Sequence, residues 1–223
     1  MNPMNLLLIC PTRGRLERCR KMVESFVATK PTRSHLLLAT DLDDPVFYSQ
    51  LEGGRVLHVS TPRMRLAGSL NYHAQIISAS AYAMLNDDVV FRTPDWEAKV
   101  EAAFQRGAVV VYGDDGLNGE KLCCFPFVDA RAVKAVGHFA PPGLVHLCID
   151  NYWLDVGTAL GRIKYLPDVV IEHEHPIAKK AEWDDGYAEA NLSPQAQRDL
   201  LVYRHYRQHS LPGDVQKIAE ALR

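Results

Sequence analysis

Short apolar segments alternate with helix-like segments through the first half of this chain. Runs with the length and composition of buried strands occur at residues 5–10, 34–40 and 55–60, within 82–91, and at 108–112. Strands that alternate with helices are joined by right-handed crossovers, which make them neighbours in a mostly parallel sheet. The sequence therefore predicts an α/β fold with a Rossmann-like sheet.

Three predicted helices lie between these strands. Apolar residues recur at helical spacing over residues 16–27 and 66–81, and Ala81 is still on the apolar face of the second helix. Thr93 is the expected N-cap of the third helix, because Pro94 suits the first helical position. These helices are expected to pack on the sheet.

The second half has a less regular pattern. Strand-like segments at 121–127 and 162–176 predict a second, small mixed sheet. Further helices are expected at 130–136, from about Asp150, from Ser193 to about His209, and from Gly213 onward. We accordingly divide the chain into a main α/β domain, residues 1–190, and a C-terminal helical extension, residues 191–223.

The overall composition excludes several classes of protein. With 47% hydrophobic residues in 223 positions, the chain can bury a sizeable core, and its net charge of −2 provides no basic field for nucleic acid. The five cysteines are odd in number and lack CxxC spacing, which favours reduced thiols in the cytoplasm. No apolar run approaches the roughly 20 residues needed to span a bilayer. Small molecules or neutral polymers are the partners that this charge favours.

Polar residues gather where the predicted parallel strands end. Ligands of such sheets bind beyond the carboxyl ends of the strands. That edge receives Arg13, Asp41, Asp43, Asp87 and Asp88. Two adjacent carboxylates at a strand end can hold Mg²⁺ or Mn²⁺. The alternative is a solvated turn in which one acid caps the next helix.

Two histidines near the end of the last predicted strand are candidates for the same metal site. In VVIEHEHP, alternation along the strand puts His173 and His175 on one face and Glu174 on the other. Imidazole is a suitable further ligand for Mn²⁺ or a similar ion. The alternative is a pair of surface histidines, and the HExxH pattern of zinc proteases is absent.

Asp150 is the candidate for proton transfer. It follows an apolar triplet and precedes an aromatic-rich helix, so its carboxylate could accept a proton from an attacking hydroxyl. A role as helix N-cap fits its position equally well. A second acidic pair, Asp114 and Asp115, is flanked by glycines and is predicted to form a turn.

Taken in order, these segments resemble the nucleotide-sugar glycosyltransferases of the GT-A fold, of the inverting, family-two-like kind, including small ones encoded by bacteriophages. The resemblance covers roughly residues 5 to 187. It rests on the segments LLICPTRGR, LLLATDLDD, AGSLNYHAQ, LNDDV, HLCIDNYW and IEHEHP. The chain departs from that family in having adjacent aspartates in place of a spaced DxD motif, and no QxxRW follows Asp150.

The resemblance implies a site for a metal, a donor and an acceptor. Asp88 and Asp87, with His173 or His175, would bind Mn²⁺ or Mg²⁺, and Asp150 would be the catalytic base. The residues implied in binding the nucleotide part of the donor are Pro11, Thr12, Arg13, Asp41, Asp43, Asn71, Asn86 and Asp87. The implied reaction moves a sugar with inversion from a nucleoside diphosphate, expected to be UDP, to a hydroxyl of a modified base in phage DNA, a glycan or a protein.

Three other functions are compatible with these residues. A sugar-phosphate nucleotidyltransferase shares the α/β architecture, but its longer glycine-rich loop and catalytic lysine are missing from PTRGRLERC. A metal-dependent phosphoesterase or nuclease could use the same acids and histidines, and it would hydrolyse phosphodiesters without a sugar nucleotide. A binding module would bind a donor without turnover, although a rim of uncompensated carboxylates is a liability without a metal.

Overall fold

The computed structural model describes residues 4–176, 180, 187–188 and 192–223, and within them eight strands form one mixed sheet. The strands are β1 (Leu6–Pro11), β2 (Ser34–Asp41), β3 (Val56–Thr61), β4 (Ala81–Met84), β5 (Val89–Phe91), β6 (Val110–Asp114), β7 (Phe127–Asp129) and β8 (Ile163–His173). Their order across the sheet is β3-β2-β1-β4-β7-β6-β8-β5. The seven helices of the described residues are α1 (Leu16–Ala28), α2 (Arg65–Ile76), α3 (Trp96–Gln105), α4 (Ala130–Val136), α5 (Ile149–Leu160), α6 (Pro194–His209) and α7 (Leu211–Ala221).

Four neighbouring strands, β3, β2, β1 and β4, run parallel, as the alternation of strands and helices predicts. The sequences of β1, β4 and the middle of β2 are continuous apolar runs because both faces of this part of the sheet are covered. Leu8 in β1 and Leu37 in β2, for example, are completely buried. The carboxyl ends of these strands consequently lie at one edge of the sheet.

The other half of the sheet is partly antiparallel and continues the first half. Strand β7 is antiparallel to both β4 and β6, while β8 is parallel to β6 and antiparallel to β5. The prediction of a second, separate mixed sheet is therefore wrong, because these strands belong to the one eight-stranded sheet. Val128 in β7 pairs with Tyr82 on one side and Val110 on the other. This short apolar strand closes two sheet edges that would otherwise be open, and it joins the halves.

The apolar run at 82–91 forms two strands instead of one. Strand β4 ends at Met84 and β5 begins at Val89, and the turn between them carries Asn86, Asp87 and Asp88. Strand β5 pairs with β8 at the far edge of the sheet. The aspartates therefore mark the point where the chain leaves one part of the sheet for another.

The second and third helices differ in length from the prediction. Helix α2 ends at Ile76, because the backbone of the next residue is extended and Ala81 already belongs to β4. Helix α3 begins at Trp96 and not at Pro94. The Oγ1 of Thr93 is engaged elsewhere, since it accepts a hydrogen bond from the Val170 amide in β8.

The strand predicted at 121–127 is also shorter than expected. Residues Gly119–Lys121 form a 3-10 turn, and regular strand geometry begins only at Phe127, the first residue of β7. The cysteine pair between them is buried, so this segment is apolar without being a strand. Apolar runs of this length do not distinguish a strand from a buried irregular segment.

Helices cover both faces of the sheet. On one face, α1 and α3 bury Phe26 and Trp96, with ring centroids 6.3 Å apart. On the other face, α2, α4 and α5 pack with the C-terminal helices, and Trp153, Tyr203 and Ile218 belong to one apolar cluster. All five cysteines are buried and free. No helix in the described ranges has both the length and the apolar character that a membrane crossing requires.

Candidate active site

A cleft of about 1000 Å³ opens at the carboxyl ends of the parallel strands. It extends from the ends of β1 and β2, across the turn after β4, to the end of β8 and the start of α5. The predicted site residues that line it are Pro11, Thr12, Arg13, Asp41, Asn86, Asp87, Asp88, Asp150, His173 and His175. The fold thus brings together predicted residues from five separate segments of the chain.

Both carboxylate oxygens of Asp87 are hydrogen-bonded by groups of the protein itself. Thr12 donates a hydrogen bond to Oδ2 of Asp87 at 2.6 Å, and the Arg15 guanidinium donates to Oδ1 at 3.2 Å. Burial raises the pKa of Asp87 to about 6; Arg15 opposes that rise, and the neighbouring Asp88 adds to it. Because both oxygens have partners, Asp87 ties the loop after β1 to the turn after β4.

Asp88 differs from its neighbour in keeping one oxygen without a hydrogen bond. Its Oδ2 accepts a hydrogen bond from the Tyr187 hydroxyl, while its Oδ1 faces Nε2 of His173 at 3.4 Å. Within the described part of the chain, Oδ1 of Asp88 and both ring nitrogens of His173 are buried without a hydrogen-bond partner. Burial alone would raise the pKa of Asp88, but His173, Tyr187 and Arg15 outweigh it, and the net pKa is lowered. Asp88 is therefore an anion inside the cleft.

The facing atoms of Asp88 and His173 fit a divalent cation. Buried polar atoms without partners cost free energy, and native proteins usually satisfy them with water, an ion or a ligand. A carboxylate with an imidazole is a suitable ligand set for Mn²⁺. The ring of His175 lies 4.9 Å from that of His173. Burial lowers the pKa of His175, and the proximity of His173 lowers it further, which favours a neutral imidazole able to coordinate a metal.

Asp150 reaches the cleft from the first turn of α5. The N-cap of this helix is Cys148, so the alternative reading of Asp150 as the N-cap is wrong. Burial raises the pKa of Asp150 to about 6, and among the groups around it His173 lowers the pKa and Asp115 raises it. A carboxylate that is ionised at neutral pH but readily accepts a proton is suited to general base catalysis.

The opposite end of the cleft carries a network of arginines and aspartates. Arg13 donates to Oδ2 of Asp41 at 2.9 Å and to Oδ1 of Asp43 at 2.6 Å. The side chain of Asp43 is 67% exposed, so it lies at the rim outside the cleft lining. Nε of Arg63, in the segment before α2, lies 3.8 Å from Oδ2 of Asp41. Fixed charges of both signs therefore surround the carboxyl end of β2.

Asn71 is placed away from the cleft. Its side-chain oxygen accepts hydrogen bonds from the amides of Phe139 and Ala140, and its nitrogen donates to the Ala140 carbonyl. These contacts hold α2 to the segment after α4. The structure thus assigns Asn71 a structural contact and corrects the expectation that it faces the donor.

Tyr187 is a site residue that the sequence interpretation missed. It is 4% exposed, lines the cleft and bonds Asp88, and its ring packs against that of His175 at 5.0 Å. No local pattern marks it, because its partner lies 99 positions earlier in the chain.

Asp115 forms the turn that the sequence predicts. Its Oδ1 accepts hydrogen bonds from the amides of Leu117, Asn118 and Gly119. Ligand-type atoms of Asp115, Cys124 and His173 also lie within 4.8 Å of one another. Oδ2 of Asp115 and Sγ of Cys124 accept hydrogen bonds from the Asn118 side chain, so within the described residues the atoms of this group that lack hydrogen-bond partners are the ring nitrogens of His173.

No family model matches the sequence, and no curated protein matches it either. Solved structures do match the fold. The mannosyltransferase PcManGT from Pyrobaculum calidifontis, in complex with GDP-Man and Mn²⁺, is similar with a TM-score of 0.63 and 13% identity, over 99% of this chain and 74% of its own. S. aureus TarS 1-349, in complex with UDP-GlcNAc, is similar with a TM-score of 0.61 and 12% identity, over 98% of this chain and 72% of its own.

A mycobacterial protein gives a third match, with a TM-score of 0.61 and 12% identity over 90% of this chain and 74% of its own. Identities this low establish the fold and nothing finer. The chain has the α/β fold of GT-A glycosyltransferases, with a mixed eight-stranded sheet in its described residues.

Proposed function

We propose that this protein is a metal-dependent glycosyltransferase that moves a sugar from a nucleoside diphosphate to a hydroxyl group. The observation that carries the proposal is the buried pair of Asp88 and His173, whose facing atoms lack hydrogen-bond partners in the described residues of the cleft. The proposal is supported by the fold shared with a mannosyltransferase that was solved with GDP-Man and Mn²⁺.

Asp88 and His173, with His175 beside them, would hold Mn²⁺ or Mg²⁺. When bound, the ion supplies Lewis-acid neutralisation of the diphosphate leaving group. The neighbouring acid, Asp87, has a different role. It is bonded to Thr12 and Arg15 and so shapes the wall of the cleft.

The donor half of the cleft is the end that carries the arginines. Four arginines line it, in two segments: Arg13 and Arg15 follow β1, Arg63 precedes α2, and Arg65 is the first residue of α2. Guanidinium groups bind phosphate oxygens by charge-assisted hydrogen bonds. Asp41, to which Arg13 donates a hydrogen bond, would accept hydrogen bonds from the base or ribose of the nucleotide. UDP is the nucleotide we expect, and GDP is the alternative to be tested beside it.

Asp150 acts on the acceptor. Its carboxylate takes the proton of the acceptor hydroxyl as that oxygen bonds to the anomeric carbon, while the bond from this carbon to the diphosphate oxygen breaks. Attack opposite to the leaving group inverts the anomeric configuration. The acceptor is a hydroxyl-bearing molecule, among which we retain a modified DNA base, a glycan and a protein.

Calorimetry and thermal unfolding with UDP and GDP, each with and without Mn²⁺, test this proposal. One nucleotide is expected to bind only with the metal and to stabilise the protein by about 2.7 kcal/mol at a concentration of about 100 Kd. Release of nucleoside diphosphate from UDP-GlcNAc or GDP-Man then tests turnover. Absence of metal-dependent binding by either nucleotide, or cleavage of bis(p-nitrophenyl) phosphate instead, would overturn it.

A further inference from the structure

One wall of the cleft is held in place by a carboxylate from the C-terminal helices. Asp199, in the second turn of α6, is completely buried. It accepts hydrogen bonds from three consecutive backbone amides, those of Val145 at 3.1 Å, His146 at 2.7 Å and Leu147 at 2.8 Å. The Gln195 side chain donates a fourth hydrogen bond to it at 2.9 Å. Both carboxylate oxygens are therefore used to fix one short segment of backbone.

A buried carboxylate is retained only when hydrogen bonds compensate for the loss of water. Four N–H donors provide this compensation for Asp199, and three successive backbone amides that converge on one carboxylate form a concave arrangement. The segment is also bonded from the other side, because the Ala67 amide in α2 donates to the Val145 carbonyl at 3.0 Å. Residues 145–147 are thus clamped between α2 and α6.

The clamped segment leads directly to the proposed base. Cys148 follows it with a left-handed backbone, at φ 70°, and α5 then begins at Ile149 with Asp150 as its second residue. A left-handed conformation costs a non-glycine residue about 1 kcal/mol. Such a conformation persists when the surrounding structure imposes it. The clamp at 145–147 and the helix after Cys148 are the structures that impose it here.

The same region contributes to the cleft itself. Val145, His146 and Leu147 line the cleft, and so do Gln195 and Ala196 at the start of α6. Helix α6 is consequently part of the cleft wall, in addition to covering the sheet.

We infer that Asp199 is a positioning residue for catalysis: by fixing residues 145–147 it sets the position of Asp150 and shapes the acceptor side of the cleft. This inference rests on the proposed glycosyltransferase function. It predicts that loss of the Asp199 carboxylate impairs transfer without weakening the binding of nucleotide and metal, which belong to the other half of the cleft.

The chain offers a matched control in Asp214 of α7. This carboxylate is also buried, at 4% exposure, and it accepts hydrogen bonds from the hydroxyls of Tyr152 at 3.0 Å and Tyr206 at 2.6 Å. It therefore anchors the C-terminal helices through two tyrosines that do not themselves line the cleft. Asp199→Asn and Asp214→Asn both remove one buried charge from the same pair of helices.

Hydrogen exchange, calorimetry and donor cleavage, measured on the full chain, distinguish the positioning role of Asp199 from the anchoring role of Asp214. For Asp199→Asn we expect exchange of the 145–147 amides to rise about tenfold, the loss expected for one hydrogen bond to a charged group. UDP or GDP with Mn²⁺ should bind within about twofold of the wild-type Kd, whereas hydrolysis of UDP-GlcNAc or GDP-Man should slow about tenfold. For Asp214→Asn we expect a lower Tm. When variant and wild type are each measured at the same number of degrees below their own Tm, none of these three changes should appear.

Equal slowing of donor cleavage in both variants, or unchanged exchange at 145–147 in Asp199→Asn, would overturn the inference. If Asp199→Asn does not fold, Gln195→Ala is the second variant. It removes one donor from Asp199 and should raise exchange at Val145 by about threefold; no change would likewise overturn the inference. If the wild type neither binds nucleotide nor cleaves a donor, the proposed function fails, while the exchange data still decide whether Asp199 is the clamp.

Discussion

The hydroxyl of Tyr187 donates a hydrogen bond of 2.5 Å to Oδ2 of Asp88. The guanidinium groups of Arg15 and Arg18 lie over the tyrosine ring, 4.4 and 4.9 Å from its centroid. The ring is therefore held from its face while its hydroxyl holds the carboxylate. This leaves Oδ1 of Asp88 directed at His173, so the carboxylate presents one oxygen to the proposed ion.

Replacing Tyr187 with Phe should weaken Mn²⁺ binding about tenfold, because groups that orient a ligating carboxylate typically contribute at least this much. Phe keeps the ring that the two guanidinium groups contact and removes the hydroxyl, which also accepts a hydrogen bond from Arg18 at 2.6 Å. The measurement is a Mn²⁺ titration by calorimetry. Tyr203→Phe is the control, since that hydroxyl bonds Asp155 at 2.7 Å outside the cleft. Equal metal affinity in wild type and Tyr187→Phe would show that the contact does not orient Asp88.

Replacing Asp88 with Asn should abolish the Mn²⁺-dependent stabilisation by nucleoside diphosphate and leave the fold intact. Asn keeps the shape of the side chain but removes the negative charge that faces His173. Thermal unfolding with UDP or GDP, with and without Mn²⁺, gives the result. Asp114→Asn is a suitable control, because Asp114 caps the next turn through Gly116 and does not line the cleft. If Asp88→Asn still shows the full Mn²⁺-dependent rise in Tm, Asp88 is not a metal ligand.

The two histidines should differ in their contribution to metal binding. His173→Ala is expected to weaken Mn²⁺ affinity more than His175→Ala, because His173 faces Oδ1 of Asp88 and has two buried nitrogens without hydrogen bonds among the described residues. A direct metal titration of both variants measures the difference. Equal and negligible effects would return both histidines to a structural role.

Asp150→Asn should reduce turnover by about 10² or more, the usual contribution of a positioned general base. Nucleotide and metal affinity should be unchanged, since those contacts lie in the other half of the cleft. In the wild type, activity should fall as the pH drops below about 6, because Asp150 is then protonated and accepts no proton. Turnover near the wild-type level in Asp150→Asn would make another group the base.

The same substitution should stabilise the fold at neutral pH. Burial raises the pKa of Asp150 to about 6 in the folded state, so the folded protein holds its proton more tightly than the unfolded chain does. The wild type therefore loses stability as the pH rises from about 4 to about 6. Asn does not ionise, so Asp150→Asn does not lose stability over this pH range. Its free energy of unfolding at pH 7 should exceed that of the wild type by on the order of 1 kcal/mol. Chemical denaturation at pH 4 and pH 7 should show the gain only at pH 7.

Local patterns in the sequence were sufficient for much of the fold. The apolar runs of β1 and β2, the helical spacing in α1, and the end of α4 at Gly137, which has φ 83°, are all set by neighbouring residues. Ser193 was likewise recognisable as the N-cap of α6, and its side chain accepts from the Ala196 amide. Such features depend on contacts within a few positions, which a sequence displays directly.

The features that the sequence did not predict depend on contacts between distant segments. No local signal indicates that β7 inserts between β4 and β6, or that the run after Asp88 pairs with β8. Within the site, the carboxylates and histidines stood out because they are unusual at strand ends. Tyr187 and Asp199 did not, because an ordinary tyrosine and a helical aspartate gain their roles only from what the fold places beside them.

The position of β7 has a consequence for the order in which the chain is made. Strands β3, β2, β1 and β4 are complete by Met84, but the exposed edge of β4 is covered only once Phe127–Asp129 has been synthesised. An uncovered strand edge pairs readily with other chains. During translation, more than forty residues must therefore leave the ribosome while this edge remains open, and a chain interrupted in that interval should aggregate, which light scattering of a fragment ending at Asp114 would reveal.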